Sequence, residues 1–113
     1  MSTREQGMLA EEAAAEHLRT LGYRVLDRNF RTRLGEIDIV AQDGETVVFV
    51  EVRSRADAAF GSPQETVGFV KRRRIIKAAA FYAQSRRLDC PMRFDVIAIV
   101  AGRLEHIPGA FSA

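Results

Sequence analysis

The stretch from Gly35 to Arg55, GEIDIVAQDGETVVFVEVRSR, constrains the fold more than any other part of the chain. It has the pattern of two β-strands joined by a tight turn, because Asp-Gly between apolar runs is a strong hairpin signal. Side chains alternate along a strand, so Glu36 and Asp38 are expected on one face of the first strand, with Ile37 and Ile39 on the other. On the second strand, one face is expected to carry Val47, Phe49, Glu51 and Arg53.

Two registers of this hairpin keep its acidic side chains together. A two-residue turn at Asp43-Gly44 sets Glu36 opposite Glu51. A four-residue loop, residues 43–46, sets Asp38 opposite Glu51 instead. In either register, carboxylates lie about 5–8 Å apart, and like charges at that distance destabilise a sheet unless something compensates them. A divalent cation such as Mg²⁺ would do so, since it takes few protein carboxylates and completes its shell with water and phosphate oxygens. The alternative is a solvent-facing strand whose acids pair with the arginines near its end.

The composition indicates one globular domain, residues 1–113. The 113 residues are 47% hydrophobic and 28% charged, which suits a domain with a core of its own. Cys90 is the only cysteine, which excludes a disulfide framework and a cysteine zinc site. The first residues show no apolar leader and no segment approaches membrane-spanning length, so we expect a cytoplasmic protein without a membrane partner.

The cations are almost all arginine, although the net charge is only +2. Lys71 and Lys77 are the only lysines among seventeen cationic side chains. Because arginine binds phosphate through two parallel hydrogen bonds, this usage permits a nucleic-acid partner. A GC-rich genome would produce the same bias.

Hydrophobic periodicity predicts the order helix, three strands, helix and strand, with a short edge strand at the end. Ser62 as N-cap, Pro63 at the first helical position and Glu65 three residues after the cap predict the start of the second helix. Pro108 is expected to end the last strand. A strand, a crossover helix and a return strand imply at least one parallel pairing within a mixed sheet. The elements outside the hairpin are expected at residues 5–21, 23–30, 62–86, 92–101 and 104–107.

Each predicted helix places one charged residue beside or within its apolar stripe. Glu11 lies close to the edge of the first stripe, whereas Glu12 and Glu16 fall on exposed positions. Lys71 falls within the second stripe, although a lysine stem can extend from such a position to solvent. The predicted stripes are Leu9, Ala13, Ala14, Leu18 and Leu21 in the first helix, and Val67, Lys71, Ile75, Ala78, Ala79 and Tyr82 in the second.

Positive charge is dense on both sides of the hairpin. Arg28, Arg31 and Arg33 crowd the loop before it, and Arg72, Arg73, Arg74 and Lys77 cover much of the second helix. Such patches fit contacts to backbone phosphates, which dominate nucleic-acid affinity, but most charged loops and helix faces are simply solvated.

An ordered set of short stretches runs along nearly the whole chain. Its members are Glu11-Glu12 with Ala14 and Leu18, Gly22-Tyr23, Asn29-Phe30-Arg31, Gly35-Glu36-Ile37-Asp38, Phe49-Val50-Glu51-Val52, Phe60-Gly61, Lys71-Arg72, Arg93-Phe94-Asp95-Val96, and His106-Ile107 with Ala110-Phe111. In this order the stretches resemble the YraN-like family of small bacterial proteins, and the likeness depends on the whole set rather than on any single motif. That family is similar to Holliday-junction resolvases of the PD-(D/E)XK nuclease superfamily, which has the restriction-endonuclease-like fold.

The resemblance implies an α/β core of order αβββαβ, in which helices flank a mixed central sheet. It implies that Asp38 and Glu51 bind Mg²⁺ or Mn²⁺, that Glu11 completes the site, and that Glu36 is an auxiliary acid. The implied activity is metal-dependent hydrolysis of DNA, including branched DNA, and a two-fold homodimer is compatible with it. The residues expected to contact the nucleic-acid backbone are Arg31, Arg33, Lys71, Arg72 and Arg73.

One position departs from the superfamily pattern, because Arg53 stands where the E-X-K motif has lysine. Arginine keeps its proton, so Arg53 can stabilise charge on phosphorus but cannot act as a base. Three outcomes are open: the metal alone activates water, Lys71 occupies the vacant cation position, or catalysis is lost and nucleic-acid binding remains. A protein-interaction scaffold that ignores DNA is a further alternative.

Overall fold

The computed structural model describes residues 3–55 and 67–113, which form two helices and five strands. No helix within these ranges is both long enough and apolar enough to cross a membrane. The predicted Ser62, Pro63 and Glu65 helix start lies outside the described residues. The elements are α1 (Thr3–Thr20), β1 (Arg24–Arg31), β2 (Glu36–Asp43), β3 (Thr46–Arg55), α2 (Phe69–Ser85), β4 (Met92–Val100) and β5 (Arg103–Phe111).

The strands form one mixed sheet in the order β1-β2-β3-β4-β5. Neighbouring strands are antiparallel except β3 and β4, which are parallel and are connected through α2. This arrangement confirms the predicted α/β architecture and its parallel pair.

Two cores lie on opposite faces of the sheet because side chains alternate along β3. Val48 and Val50 pack with Leu18 and small residues of α1. Val47 and Phe49 pack instead with Tyr82 and other residues of α2. The predicted stripe of α2 is confirmed at Ile75, Ala78, Ala79 and Tyr82. Of its other two members, Val67 is buried but precedes the helix, and Lys71 is partly exposed.

The predicted stripe of α1 is wrong by about one residue. Leu9 and Leu21 are 55% and 50% exposed, whereas Ala10 and Ala15 are buried. The buried positions are Ala10, Ala14, Ala15 and Leu18, so the helix rests on the sheet mainly through alanines. Small side chains let the backbone of α1 approach the sheet closely. This close packing outweighs the burial of Leu9 and Leu21.

The bounds of α2 and β5 also differ from the prediction. Val67 and Gly68 lie before the first turn of α2, so this helix begins at Phe69, and the predicted start at Ser62 lies outside the described residues. β5 continues through Pro108 to Phe111, although Pro108 was expected to end it. The continuation is possible because the ladder with β4 is irregular between Phe94 and Val96, so the proline needs no backbone donor there.

The β2–β3 hairpin takes the register predicted for the longer loop. Asp43 pairs with Thr46, and Ile39 pairs with Val50. The paired ladder ends at Ile39 and Val50, directly before Asp38 and Glu51, whereas the alternative register that set Glu36 opposite Glu51 is wrong. The prediction that Ile37 and Ile39 share a face is also wrong, because Ile37 belongs to the α2-side core and Ile39 to the α1-side core.

Candidate functional site

The change of face in β2 occurs at Asp38. The carboxylate Oδ2 of Asp38 accepts a hydrogen bond from the backbone N–H of Val52 at 2.8 Å. The neighbouring strand β1 changes face at the same level, at Asn29, which has a positive φ of 55°. Arg28 before it pairs with acids of α1, and Phe30 after it packs against the α2-side core. Asp38 therefore lies where side chains from both faces of the sheet can approach it.

Glu51 approaches this point from the α2 face, where it is nearly buried. Its side chain is 5% exposed, and Lys71 Nζ lies 3.8 Å from Glu51 Oε1. Burial and the neighbouring Asp38 charge raise the pKa of Glu51 to about 8, and a hydrogen bond between the two carboxyl groups adds to the rise. The cations of Lys71 and Arg53 act in the opposite direction but do not outweigh burial. The raised pKa favours the protonated form of Glu51 at neutral pH when no cation is bound.

Glu11 approaches Asp38 from the α1 face. Its side chain is 19% exposed, and Arg28 lies 3.9 Å from Glu11 Oε1. This oxygen is buried, and among the described residues no donor forms a hydrogen bond with it. Burial, followed by the charge of Asp38, raises the pKa of Glu11, while Arg28 lowers it. Asp38 therefore has Glu51 near it on the α2 face and Glu11 near it on the α1 face, while the predicted joint role of the three acids stays a prediction.

The other two predicted site residues, Glu36 and Arg53, lie at the margin of the acidic group, which consists of Glu11, Asp38 and Glu51. Glu36 is exposed and pairs with Arg31 at 3.3 Å. Arg53 follows Glu51 on the same face of β3, and its charge lowers the pKa of Glu51. The predicted roles of Glu36 as an auxiliary acid and of Arg53 as a catalytic, charge-stabilising residue stay predictions.

A basic hollow of about 380 Å³ lies beside the acidic group, between the β1–β2 turn and α2. Arg31, Arg33 and Lys71 line it, as does Arg74, which was not among the expected nucleic-acid contacts. The contribution of Arg74 could have been anticipated only from the contact between the β1–β2 turn and α2, which no spacing in the sequence indicates.

Arg72 and Arg73 do not line this hollow. Arg72 donates a hydrogen bond from Nε to the carbonyl of Val67 at 2.7 Å, and its guanidinium lies over the Phe111 ring. Arg73 lies over the Phe69 ring. Their predicted contact with nucleic acid stays a prediction, but neither shares the hollow with Lys71.

The acidic group suits Mg²⁺ through two carboxylates rather than three. Within residues 3–55 and 67–113, no three side chains of Asp, Glu, His or Cys are arranged to hold a metal ion together. Mg²⁺ needs only one or two protein carboxylates, with water and substrate oxygens completing its shell. Asp38 and Glu51 meet this requirement, and the crowding that raises the pKa of Glu51 is what a cation between them would relieve.

A second buried polar cluster, centred on Asp95 of β4, was not predicted. Asp95 is fully buried and accepts hydrogen bonds from Arg93 Nε at 2.8 Å and from the Gly109 backbone at 3.0 Å. His106 Nε2 lies 2.8 Å from Asp95 Oδ2, and its Nδ1 lies 3.2 Å from His17 Nε2. His106 therefore connects three elements of the fold. Its bond to Asp95 ties β5 to β4, and its contact with His17 ties β5 to α1.

The fold and the acidic group define a class: a small mixed α/β domain with paired carboxylates at a break in its central sheet. The family model described as "Uncharacterised protein family UPF0102" matches residues 10–99. The chain belongs to this family, which confirms the family assignment made from the sequence.

Relatives from several bacteria match over nearly the whole chain, and each bears the name UPF0102 protein. The protein from Persephonella marina is 48% identical over 107 residues, covering 94% of this chain and 92% of its own. Those from Geobacter sulfurreducens and Anaeromyxobacter dehalogenans are 51% and 50% identical, covering 87% and 82% of their own lengths and 93% of this chain.

Proposed function

We propose that this protein is a Mg²⁺- or Mn²⁺-dependent endonuclease that hydrolyses phosphodiester bonds in DNA, with branched DNA among its substrates. The observation that carries the proposal is the buried carboxyl pair, in which burial and Asp38 raise the pKa of Glu51 to about 8. A protein gains nothing in stability from two acids crowded in this way. Perturbed carboxyl groups at a structural irregularity are typical of functional sites.

Asp38 and Glu51 would hold the metal, together with the main-chain carbonyl of Val52. The ion would polarise the phosphate and lower the pKa of the attacking water. Glu11 would accept a hydrogen bond from water at the site, through the Oε1 atom for which the described residues provide no donor.

Lys71 supports a catalytic role because it provides the amine that the E-X-K position lacks. Its Nζ lies 3.8 Å from Glu51 Oε1, and its side chain is 38% exposed, so it can reach both the carboxyl pair and a substrate. The ammonium of lysine is a compact donor on a flexible stem, whereas the guanidinium of arginine is a planar fork. In this proposal Lys71 orients the attacking water, and Arg53 stabilises the negative charge that develops on phosphate oxygens.

The test is a nicking assay on duplex, forked and four-way DNA with Mg²⁺ or Mn²⁺. Asp38→Ala and Glu51→Ala should each lower the rate about a hundredfold or more, because several kcal/mol of stabilisation by the metal is lost. Glu45→Ala, which removes an exposed acid from the turn of the same hairpin, should leave the rate unchanged. Cleavage that survives both site substitutions would exclude the proposal.

The second candidate is a nucleic-acid-binding module that keeps the fold without catalysis. Arg53 favours it, because arginine occupies the E-X-K position beside Glu51. The module would bind DNA in a salt-dependent manner and would show no turnover with any divalent ion.

Arg53→Lys distinguishes the two candidates when it is assayed next to the wild-type protein. If Lys71 supplies the amine, the wild-type protein cleaves DNA and Arg53→Lys changes the rate little. Cleavage that appears only in Arg53→Lys would show that the natural chain is the binding module.

A further inference from the structure

We propose that the basic hollow is a binding site for a second backbone phosphate, adjacent to the phosphate that is cleaved, and that Gly35 keeps this site open. Arg33 and Arg74 would bind the phosphate oxygens. That this phosphate is adjacent to a cleaved phosphate rests on the proposed function. That the hollow binds a phosphate does not depend on it.

The first support is the rigid turn that carries Arg33. Thr32 Oγ1 accepts hydrogen bonds from the backbone N–H groups of Leu34 and Gly35, both at 3.1 Å. The N–H of Thr32 donates to the Gly35 carbonyl at 2.8 Å. These bonds fix the backbone of the turn at both ends, so the backbone would lose little conformational entropy when Arg33 binds an anion.

The second support is the contact between this turn and α2. A β-carbon on Gly35 would lie 2.4 Å from the Arg74 carbonyl oxygen, so any side chain there would force the turn and the helix apart. Gly35 does not have a positive φ angle, so glycine is required here because there is no room for a side chain, and not because of the backbone conformation. Gly35 thereby brings Arg33 of the turn and Arg74 of the helix to one hollow.

The third support is the distribution of charge. Arg31 is paired with Glu36 and Lys71 with Glu51. Arg33 and Arg74 form no ion pair with any acid in residues 3–55 and 67–113. Two guanidinium groups without acidic partners thus line one hollow, and an anion with several acceptor oxygens could accept hydrogen bonds from both.

The position of the hollow indicates a polynucleotide rather than a free anion. Lys71 both lines the hollow and contacts Glu51 of the acidic group. Arg31 lines this hollow and also the neighbouring one, which contains Glu11. One strand could therefore run from the acidic group into the hollow. Leu34, which is 55% exposed at the tip of the turn, would contact the sugar between two phosphates.

The experiment measures binding of a labelled single-stranded oligonucleotide by fluorescence anisotropy, in EDTA and over a series of salt concentrations. Arg33→Ala and Arg74→Ala should each lower affinity about fivefold or more and reduce the salt slope by about one. Arg24→Ala is the matched control, since Arg24 is exposed at the opposite end of β1 and forms no ion pair among the described residues. Gly35→Ala, checked for folding by circular dichroism, should weaken binding as Arg74→Ala does.

Three outcomes decide the matter. Equal affinity of Arg33→Ala, Arg74→Ala and Arg24→Ala would overturn the site, even if Gly35→Ala failed to fold. Inorganic phosphate that binds as tightly as the oligonucleotide would show a free-anion site and overturn the assignment to a nucleic-acid backbone. Binding that depends on Arg33 and Arg74 in a protein that never cleaves DNA would support this site and remove the nuclease proposal.

Discussion

Asp38 Oδ2 accepts a hydrogen bond from the Val52 N–H at 2.8 Å, so a side chain of β2 takes the place that a backbone carbonyl would have in the ladder with β3. This bond holds the carboxylate next to Glu51 and links the stability of the hairpin to the chemistry of the site. A single residue therefore carries two roles that substitution can separate.

Asp38→Asn should keep the hairpin intact but abolish cleavage. Asparagine retains an oxygen that can accept from the Val52 N–H, while the charge that binds metal is gone. Asp38→Ala should abolish cleavage and also cost about 1–3 kcal/mol in free energy of unfolding, because the Val52 N–H loses its acceptor. Urea unfolding of both variants in EDTA measures the difference. Equal stability of the two would show that the hydrogen bond contributes nothing.

Glu51→Gln should stabilise the metal-free protein, and increasingly so as the pH rises. Folding raises the pKa of Glu51 from 4.5 to about 8, so the folded state binds more protons than the unfolded state between these values. This group therefore lowers wild-type stability progressively from pH 4.5 upwards, and the loss levels off once the pH has risen through the folded pKa of about 8. The advantage of Glu51→Gln over wild type should grow by about 3 kcal/mol between pH 6 and pH 9.

The measurement for Glu51→Gln is urea unfolding in EDTA at both pH values. Glu45→Gln is the control, because Glu45 is exposed in the turn of the same hairpin. An advantage that stays constant between the two pH values would contradict the pKa shift of Glu51.

Lys71→Met should slow DNA cleavage about a hundredfold while weakening DNA binding much less, because the amine acts at the reacting phosphate. Lys71→Arg should restore binding but not the rate, since the planar guanidinium cannot take the position of the compact amine beside Glu51. Lys77→Met is the matched control, as Lys77 is the other lysine of α2 and is exposed. Loss of binding and rate in equal measure would assign Lys71 to phosphate contact alone.

The sequence predicted the architecture because local patterns determine it here. The Asp-Gly turn, the alternation along β3 and the apolar run of β4 each specify an element, and the α2 crossover requires the parallel pair. The acidic group was predicted less directly. The hairpin pattern left two registers open, and alternation alone put Ile37 on the wrong face.

The remaining features depend on contacts between segments distant in sequence. The break at Asp38 needs the matching break at Asn29 of β1, and asparagine at a positive φ is not evident from a strand pattern. Arg74 enters the hollow only because Gly35 lets the turn approach α2. His106 lies eleven residues after Asp95, and only the pairing of β4 with β5 brings the two together.

Asp95→Asn should destabilise the protein by about 3–5 kcal/mol at neutral pH, because asparagine keeps only one of the two acceptor oxygens and leaves the Arg93 guanidinium without its buried counter-charge. Burial alone would raise the pKa of Asp95, but hydrogen bonds from His106, Arg93 and the Gly109 backbone together lower it. Asp95 therefore contributes stability that is present above its unfolded value of 3.8 and is lost as the pH falls through its lower folded value. The deficit of Asp95→Asn in urea unfolding should accordingly shrink on acidification towards pH 3. Asp89→Asn, at an exposed position, serves as the control, and a deficit that stays constant with pH would show that the charge of Asp95 is not what stabilises the cluster.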